Sequence, residues 1–161
     1  MIEELNKAIE EGIPSYVHRA VQPTFDWNTA VGYLTHCADV ELGEPIGILN
    51  YRLPLADDVE SIKPVKEYLS ENLSRGILGV DMYVTLTTKS DVKYHGKDDV
   101  LIWNALGYSE FELNGNNRLL EPGDVVFIPR DTEYKITPMG HRTFVVFSLE
   151  KGKENGSNET L

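Results

Sequence analysis

The densest grouping of side chains able to do chemistry is Tyr94-His95-Gly96-Lys97-Asp98-Asp99, where one imidazole stands three and four residues from two carboxylates. Imidazole and carboxylate are ligand types that divalent transition metals take from proteins. The same residues have a plainer use. A histidine in a charged loop is solvated, and Asp98 and Asp99 can cap a turn and begin a strand. His18, His36 and His141 stand apart from this grouping. Cys37, the single cysteine, sits in a helical stretch with no neighbouring base, which fits a buried, inert thiol and excludes a disulfide within the chain. Ser15, Ser109 and Ser148 lack the strand–turn–helix context of a nucleophile elbow. Glu110 and Glu112 alternate with Phe111 and Leu113, so their carboxylates are expected to face solvent.

These residues have to be carried by elements. Ile2, Leu5 and Ile9 recur at helical spacing over residues 1–11, and Gly12 ends the run. Residues 17–21 suit a short strand. Asp26 reads as the N-cap of a helix Trp27–Ala38 that presents Trp27, Val31 and Leu34 on one face. A strand over 46–53 is followed by a helix over 63–74, with Pro64 in its first turn and Val65, Leu69 and Leu73 on its packed face. Gly76 is placed where a left-handed C-terminal cap is expected. Beyond Gly76 the texture changes. The pattern predicts strands at Val80–Thr88, Val100–Leu106, Tyr108–Leu113, Asp124–Ile128, Glu133–Thr137 and Arg142–Leu149. They are split by turn signals at Asn114-Gly115-Asn116-Asn117, Pro122-Gly123 and Met139-Gly140. Short strands at this spacing argue for a sandwich or barrel. The chain has 161 residues, which suits one domain over 1–150, with a helical and mixed part at 1–76, a barrel core at 77–150, and a flexible polar tail at 151–161.

One string inside the barrel half is more specific. Leu120-Glu121-Pro122-Gly123-Asp124-Val125-Val126-Phe127-Ile128-Pro129 is a turn, an apolar strand and a strand stop, and it resembles the second motif of the cupin superfamily. Gly123 and Pro129 fall in place, Asp131 takes the position of the second glycine, and Tyr134 takes that of a metal-binding histidine. Asp tolerates the left-handed conformation which that glycine position requires. Upstream, Tyr94-His95-Gly96-Lys97-Asp98-Asp99-Val100 is similar to the first motif of the cupin-like, JmjC-related oxygenases that use iron and 2-oxoglutarate. Anchored on Asp99-Val100, the His-x-Asp pair of those enzymes falls on Tyr94 and Gly96; shifted by one residue it falls on His95 and Lys97. The plainer cupin pattern places its ligands at Lys93, His95 and Asp99.

The resemblance implies a mainly β fold, a cupin-type double-stranded β-helix (jelly-roll) barrel with the N-terminal helices packed on it. It also implies a degenerate metal centre built from His95, Asp99 and Tyr134. A tyrosine, with a pKa of about 10, is a weaker ligand than a second imidazole. In the related oxygenases a basic residue on a late strand clamps the 2-oxoglutarate carboxylate, and Arg142 is the candidate by position. The implied ligand pocket is therefore His95, Tyr134 and Arg142, with a divalent metal (iron) and 2-oxoglutarate as the implied cofactors. A surface ion pair is the plainer use of Arg142.

Composition narrows the function classes. The chain carries 15 basic against 26 acidic residues, a formal net charge of −11. No basic stripe is present to neutralise phosphates or meet an anionic membrane, so neither nucleic acid nor a membrane is expected as a partner. The start Met1-Ile2-Glu3-Glu4 is unlike a signal peptide, and a cytoplasmic location is the expectation. Two classes stay open: a non-catalytic cupin that binds a small molecule of unassigned specificity, which the substituted histidines favour, and a divergent metal-dependent oxygenase. A homodimer through sheet edges is compatible with either.

Overall fold

A computed structural model describes residues 2–21, 25–47, 49–87 and 92–152, with the backbone alone at 92–95. Helix α1 (Ile2–Glu11) leads to β1 (Ser15–Val17), α2 (Trp27–Asp39), the strands β2 (Glu44–Gly47) and β3 (Asn50–Leu53), and α3 (Lys63–Asn72). Eight strands follow: β4 (Ile77–Thr85), β5 (Val92–His95), β6 (Val100–Leu106), β7 (Ser109–Leu113), β8 (Asn116–Leu120), β9 (Val125–Ile128), β10 (Glu133–Pro138) and β11 (Arg142–Leu149).

Local chemistry explains the helices. Asp26 sits extended before α2, and its Oδ1 accepts the Thr29 backbone N–H at 2.8 Å. Pro64 occupies the first turn of α3, where its missing N–H costs nothing. Val65, Leu69 and Leu73 are all buried beneath that helix. Leu5 and Ile9 do the same for α1. On α2, Trp27 and Leu34 pack against the core as expected, beside the buried Ala30 and Cys37, whereas Val31 is exposed. Helix α3 ends in an extended Leu73 and not at a left-handed Gly76, whose carbonyl instead accepts the Glu150 N–H at 2.9 Å.

The strands form two antiparallel sheets, one of order β1-β9-β6-β11-β4-β3-β2 and one of order β5-β10-β7-β8. Of the eight barrel strands, β4, β6, β9 and β11 lie in the first and β5, β7, β8 and β10 in the second. That alternation is the double-stranded β-helix, or jelly roll. Side-chain alternation divides the core in two. On β6, Val100 and Ile102 point between the sheets, whereas Leu101, Trp103 and Ala105 point under the helices. On β11, Phe144 and Val146 point between the sheets, and Val145 and Phe147 under the helices. The larger sheet is thus covered on both faces, which is why the middle of β11, Phe144 to Phe147, is apolar throughout.

The expected strand over 46–53 is a β2–β3 hairpin, with Leu49 in a left-handed conformation (φ 52°). The first strand falls at 15–17, because Arg19 breaks the extended run with φ 49°. Strand β4 begins at Ile77 and ends at Thr85; Thr88 and the tail from residue 153 lie outside the described residues. Asn114 (φ 51°) and Gly115 (φ 78°) make the two-residue hairpin between β7 and β8, the geometry that an Asn-Gly pair favours. Among the described residues, no helix is long and apolar enough to cross a membrane.

Candidate functional site at the barrel mouth

After β9, Pro129 stops the strand and Asp131 turns the chain in the left-handed region (φ 61°), its N–H donating to the Gly96 carbonyl at 3.0 Å. The turn delivers Tyr134 into the space between the sheets, where it is buried with its ring centroid 6.0 Å from that of Phe111. Across β10, Tyr134 pairs with Tyr94 on one side and Leu113 on the other. His95 pairs with Glu133, one register position away from Tyr134; its side chain lies outside the described residues.

Asp99 is not gathered into this space. Val100 points inward, so its neighbour Asp99 points to the opposite face of the larger sheet. There its carboxylate accepts from Arg75 Nη1 and, at 2.7 Å, from the Arg130 backbone N–H. Arg75 also donates to the Ile9 carbonyl at 3.0 Å, so the group ties α1 to the start of β6. The expected set of His95, Asp99 and Tyr134 is therefore corrected: strand alternation puts Asp99 and Tyr134 on different faces.

Arg142 is fully buried between the sheets, not paired at the surface. Its Nη1 donates to Ser109 Oγ at 3.0 Å and its Nε to Thr85 Oγ1 at 3.3 Å, while Thr85 Oγ1 donates to Asn50 Oδ1 at 2.9 Å. The guanidinium carbon lies 4.6 Å from the centroid of the Phe144 ring, which stacks on Tyr83. Ser109 opens β7 and Leu113, the partner of Tyr134, closes it. Arg142 and Tyr134 are thus separated by four strand residues, roughly 13 Å.

The resemblance carried by the sequence motifs implies iron, and the described residues at the matched positions do not fit it. A non-haem iron centre takes two imidazoles and a carboxylate on one face. Here a buried tyrosine stands at one ligand position and the carboxylate of another is committed to Arg75 and to the Arg130 amide.

Two neighbouring hollows, each of about 550 Å³, share Pro14 and Asn114. One is lined by Tyr134 with the charged Asp131, Glu133 and Lys135. The other runs over Tyr16, Phe111, Leu113 and Val126, with Arg118 at its rim.

A polar cluster beside the second hollow has no counterpart in the sequence reading. Asp124 is fully buried and accepts the Tyr16 hydroxyl (2.8 Å), the Arg19 N–H (2.9 Å) and the Glu121 N–H (2.8 Å). His18 Nδ1 lies 2.9 Å from Asp124 Oδ1 and 3.8 Å from Glu121 Oε2. Burial, then the bond to Asp124, pushes the Tyr16 phenol up to about 12. One imidazole and two carboxylates converge here, but the Asp124 oxygens already hold two backbone amides and a phenol, so the group works as a clamp between β1 and the turn before β9. No local signal could have revealed it, since Tyr16 and Asp124 are 108 residues apart.

The strand order and the barrel mouth define a cupin-type jelly roll. No protein-family model matches the sequence, and no curated protein matches it. Among solved structures, the ribosomal oxygenase YcfD from Escherichia coli in complex with cobalt and 2-oxoglutarate is similar at TM-score 0.69 and 13% identity, over 87% of this chain and 48% of that one. A second YcfD structure gives TM-score 0.68 and 12% identity, over 87% and 50%. A cupin superfamily protein from Desulfitobacterium hafniense is similar over a smaller part, with TM-score 0.42 and 16% identity over 45% of this chain and 67% of that one. The chain spans about half the length of the YcfD chains it matches. Identity this low shows a shared fold.

Proposed function

We propose that this chain is a cupin-fold protein that binds a small molecule at its barrel mouth and performs no metal chemistry there. The observation that carries the reading is the neighbouring pair of hollows lined by between-sheet side chains, Tyr134 in one and Phe111 in the other. A concave site with an apolar floor and a few polar groups is the usual form of a ligand pocket. Tyr134 lines this pocket, and the backbone of His95 pairs with Glu133, the neighbour of Tyr134, on the adjacent strand β5. The fate of Asp99 supports a binding role, because a carboxylate held by a guanidinium and an amide is not offered to a metal.

Arg142 favours a second reading, a divergent iron/2-oxoglutarate oxygenase. A buried guanidinium held between two hydroxyls inside the barrel is a natural partner for a carboxylate. YcfD, of like fold, has been solved with cobalt and 2-oxoglutarate.

One experiment separates the two. The protein is purified, supplied with iron(II), desalted and analysed for bound metal, then assayed for succinate formed from 2-oxoglutarate. Substoichiometric metal and no succinate are expected. One tightly held iron per chain, lost in His95→Ala and accompanied by succinate release, would replace the binding reading with the oxygenase.

A further inference from the structure

We propose that the slot between β1 and β8 binds a flat, apolar molecule bearing one carboxylate, with Arg118 as the anion-binding group. This rests on the small-molecule reading above and adds to it a place and a ligand class.

The two sheets do not bond to each other on this side. Strand β1 ends the larger sheet and β8 ends the smaller one. The hollow of about 550 Å³ enters between them and reaches Phe111 and Val126, which are 6% and 2% exposed and belong to the between-sheet core. It is a lateral hollow whose floor is the edge of that core.

Strand β8 is unusual in what it turns toward that opening. Residues paired directly across two strands share a face. Arg118 pairs with Phe111 and Asn116 with Leu113, so Arg118 and Asn116 sit on the inward face. An ordinary closed sandwich would have apolar residues at both positions.

Arg118 is also held in place. Its guanidinium carbon lies 4.0 Å from the centroid of the Tyr16 ring. That ring is itself fixed, because the Tyr16 hydroxyl donates to the buried Asp124 carboxylate at 2.8 Å. Stacking on an aromatic face leaves the edge donors of a guanidinium free to meet a carboxylate in bidentate fashion. The chain holds 26 acidic against 15 basic residues, yet among the described residues no carboxylate forms an ion pair with Arg118. A cation stacked at the rim of a slot with polar walls and an apolar floor calls for an anion with an apolar body, and a floor of one phenylalanine, one leucine and one valine suits a ring.

Inward charge on an edge strand has another use, the prevention of edge-to-edge association. The two roles part experimentally. The full chain, labelled with ¹⁵N, is titrated with naphthalene-2-carboxylate and with the neutral naphthalene-2-methanol. The expected result is a set of amide shifts centred on Tyr16, Leu113 and Arg118, with the carboxylate binding at least tenfold more tightly than the alcohol. Arg118→Gln, at an exposed position, should keep the spectrum of the folded chain and abolish that tenfold preference; Arg118→Lys should restore part of it. Carboxylate binding that is unchanged in Arg118→Gln, or shifts centred elsewhere on the barrel, would overturn this site and leave the small-molecule reading standing. An Arg118→Gln protein that binds normally but self-associates would make Arg118 an edge guard. Failure of both compounds to bind would remove the slot as a site. Iron-dependent succinate release would instead remove the binding reading itself.

Discussion

Replacing Gly107 by alanine tests how tightly the barrel end beside Arg142 is built. Gly107 links β6 to β7 with φ +72°, and a Cβ there would lie 2.2 Å from the His141 carbonyl oxygen and 3.1 Å from the Arg142 Cα. Both obstacles are backbone atoms and cannot swing aside. The left-handed conformation alone costs a non-glycine residue about 1–2 kcal/mol. Displacing the β10–β11 turn adds local strain on the order of 1–3 kcal/mol. A total of about 2–5 kcal/mol lowers Tm by about 4–20 °C in a chain of this length. Gly115→Ala is the comparison: φ is +78°, but a Cβ would meet nothing within 4 Å, so only the conformational cost applies. Urea unfolding followed by tryptophan fluorescence, with calorimetric Tm, measures both variants. Equal losses in Gly107→Ala and Gly115→Ala would refute the close approach to His141.

Further outcomes are expected. Asp124→Asn keeps the shape but turns an amide toward donors that now bond a carboxylate, so it should cost about 2–3 kcal/mol in urea unfolding; a change below 0.5 kcal/mol would contradict the clamp, roughly the limit for neutral surface substitutions. The Thr29 N–H and hydroxyl hold the Asp26 carboxyl below its ordinary 3.8, so its stabilising effect is complete above that value and fades as pH falls through the lower folded one. Asp26→Asn should accordingly flatten the acid side of a Tm-against-pH curve, and an unaltered curve would remove the capping role. In an ultraviolet titration, the difference between the parent and Tyr16→Phe should show one phenol ionising near 12, against an ordinary 10.0; an ordinary value would mean that Tyr16 is neither buried nor bonded to Asp124.

Sequence alone determined the elements whose causes are local. Asp26 caps α2, Pro64 opens α3, Asn114-Gly115 turns the chain after β7, and Pro122-Gly123 precedes β9; each rests on residues only a few positions apart. The spacing of the short strands likewise marked a sandwich or barrel, and the Gly123–Pro129 string made it a jelly roll by resemblance; the apolar runs of β6, β9 and β11 fit a sheet covered on both faces. Strands β5 and β8 went unseen. VKYH and NNRLL lie at the edges of the smaller sheet and carry polar residues that no alternation pattern distinguishes from a loop. Tertiary structure decided where the charges went. Asp99 met Arg75 from the α3–β4 connection, Arg142 met Ser109 and Thr85, and Asp124 met Tyr16, each across 24 to 108 residues. A buried charge must find a partner, but which one it finds depends on how the whole chain closes.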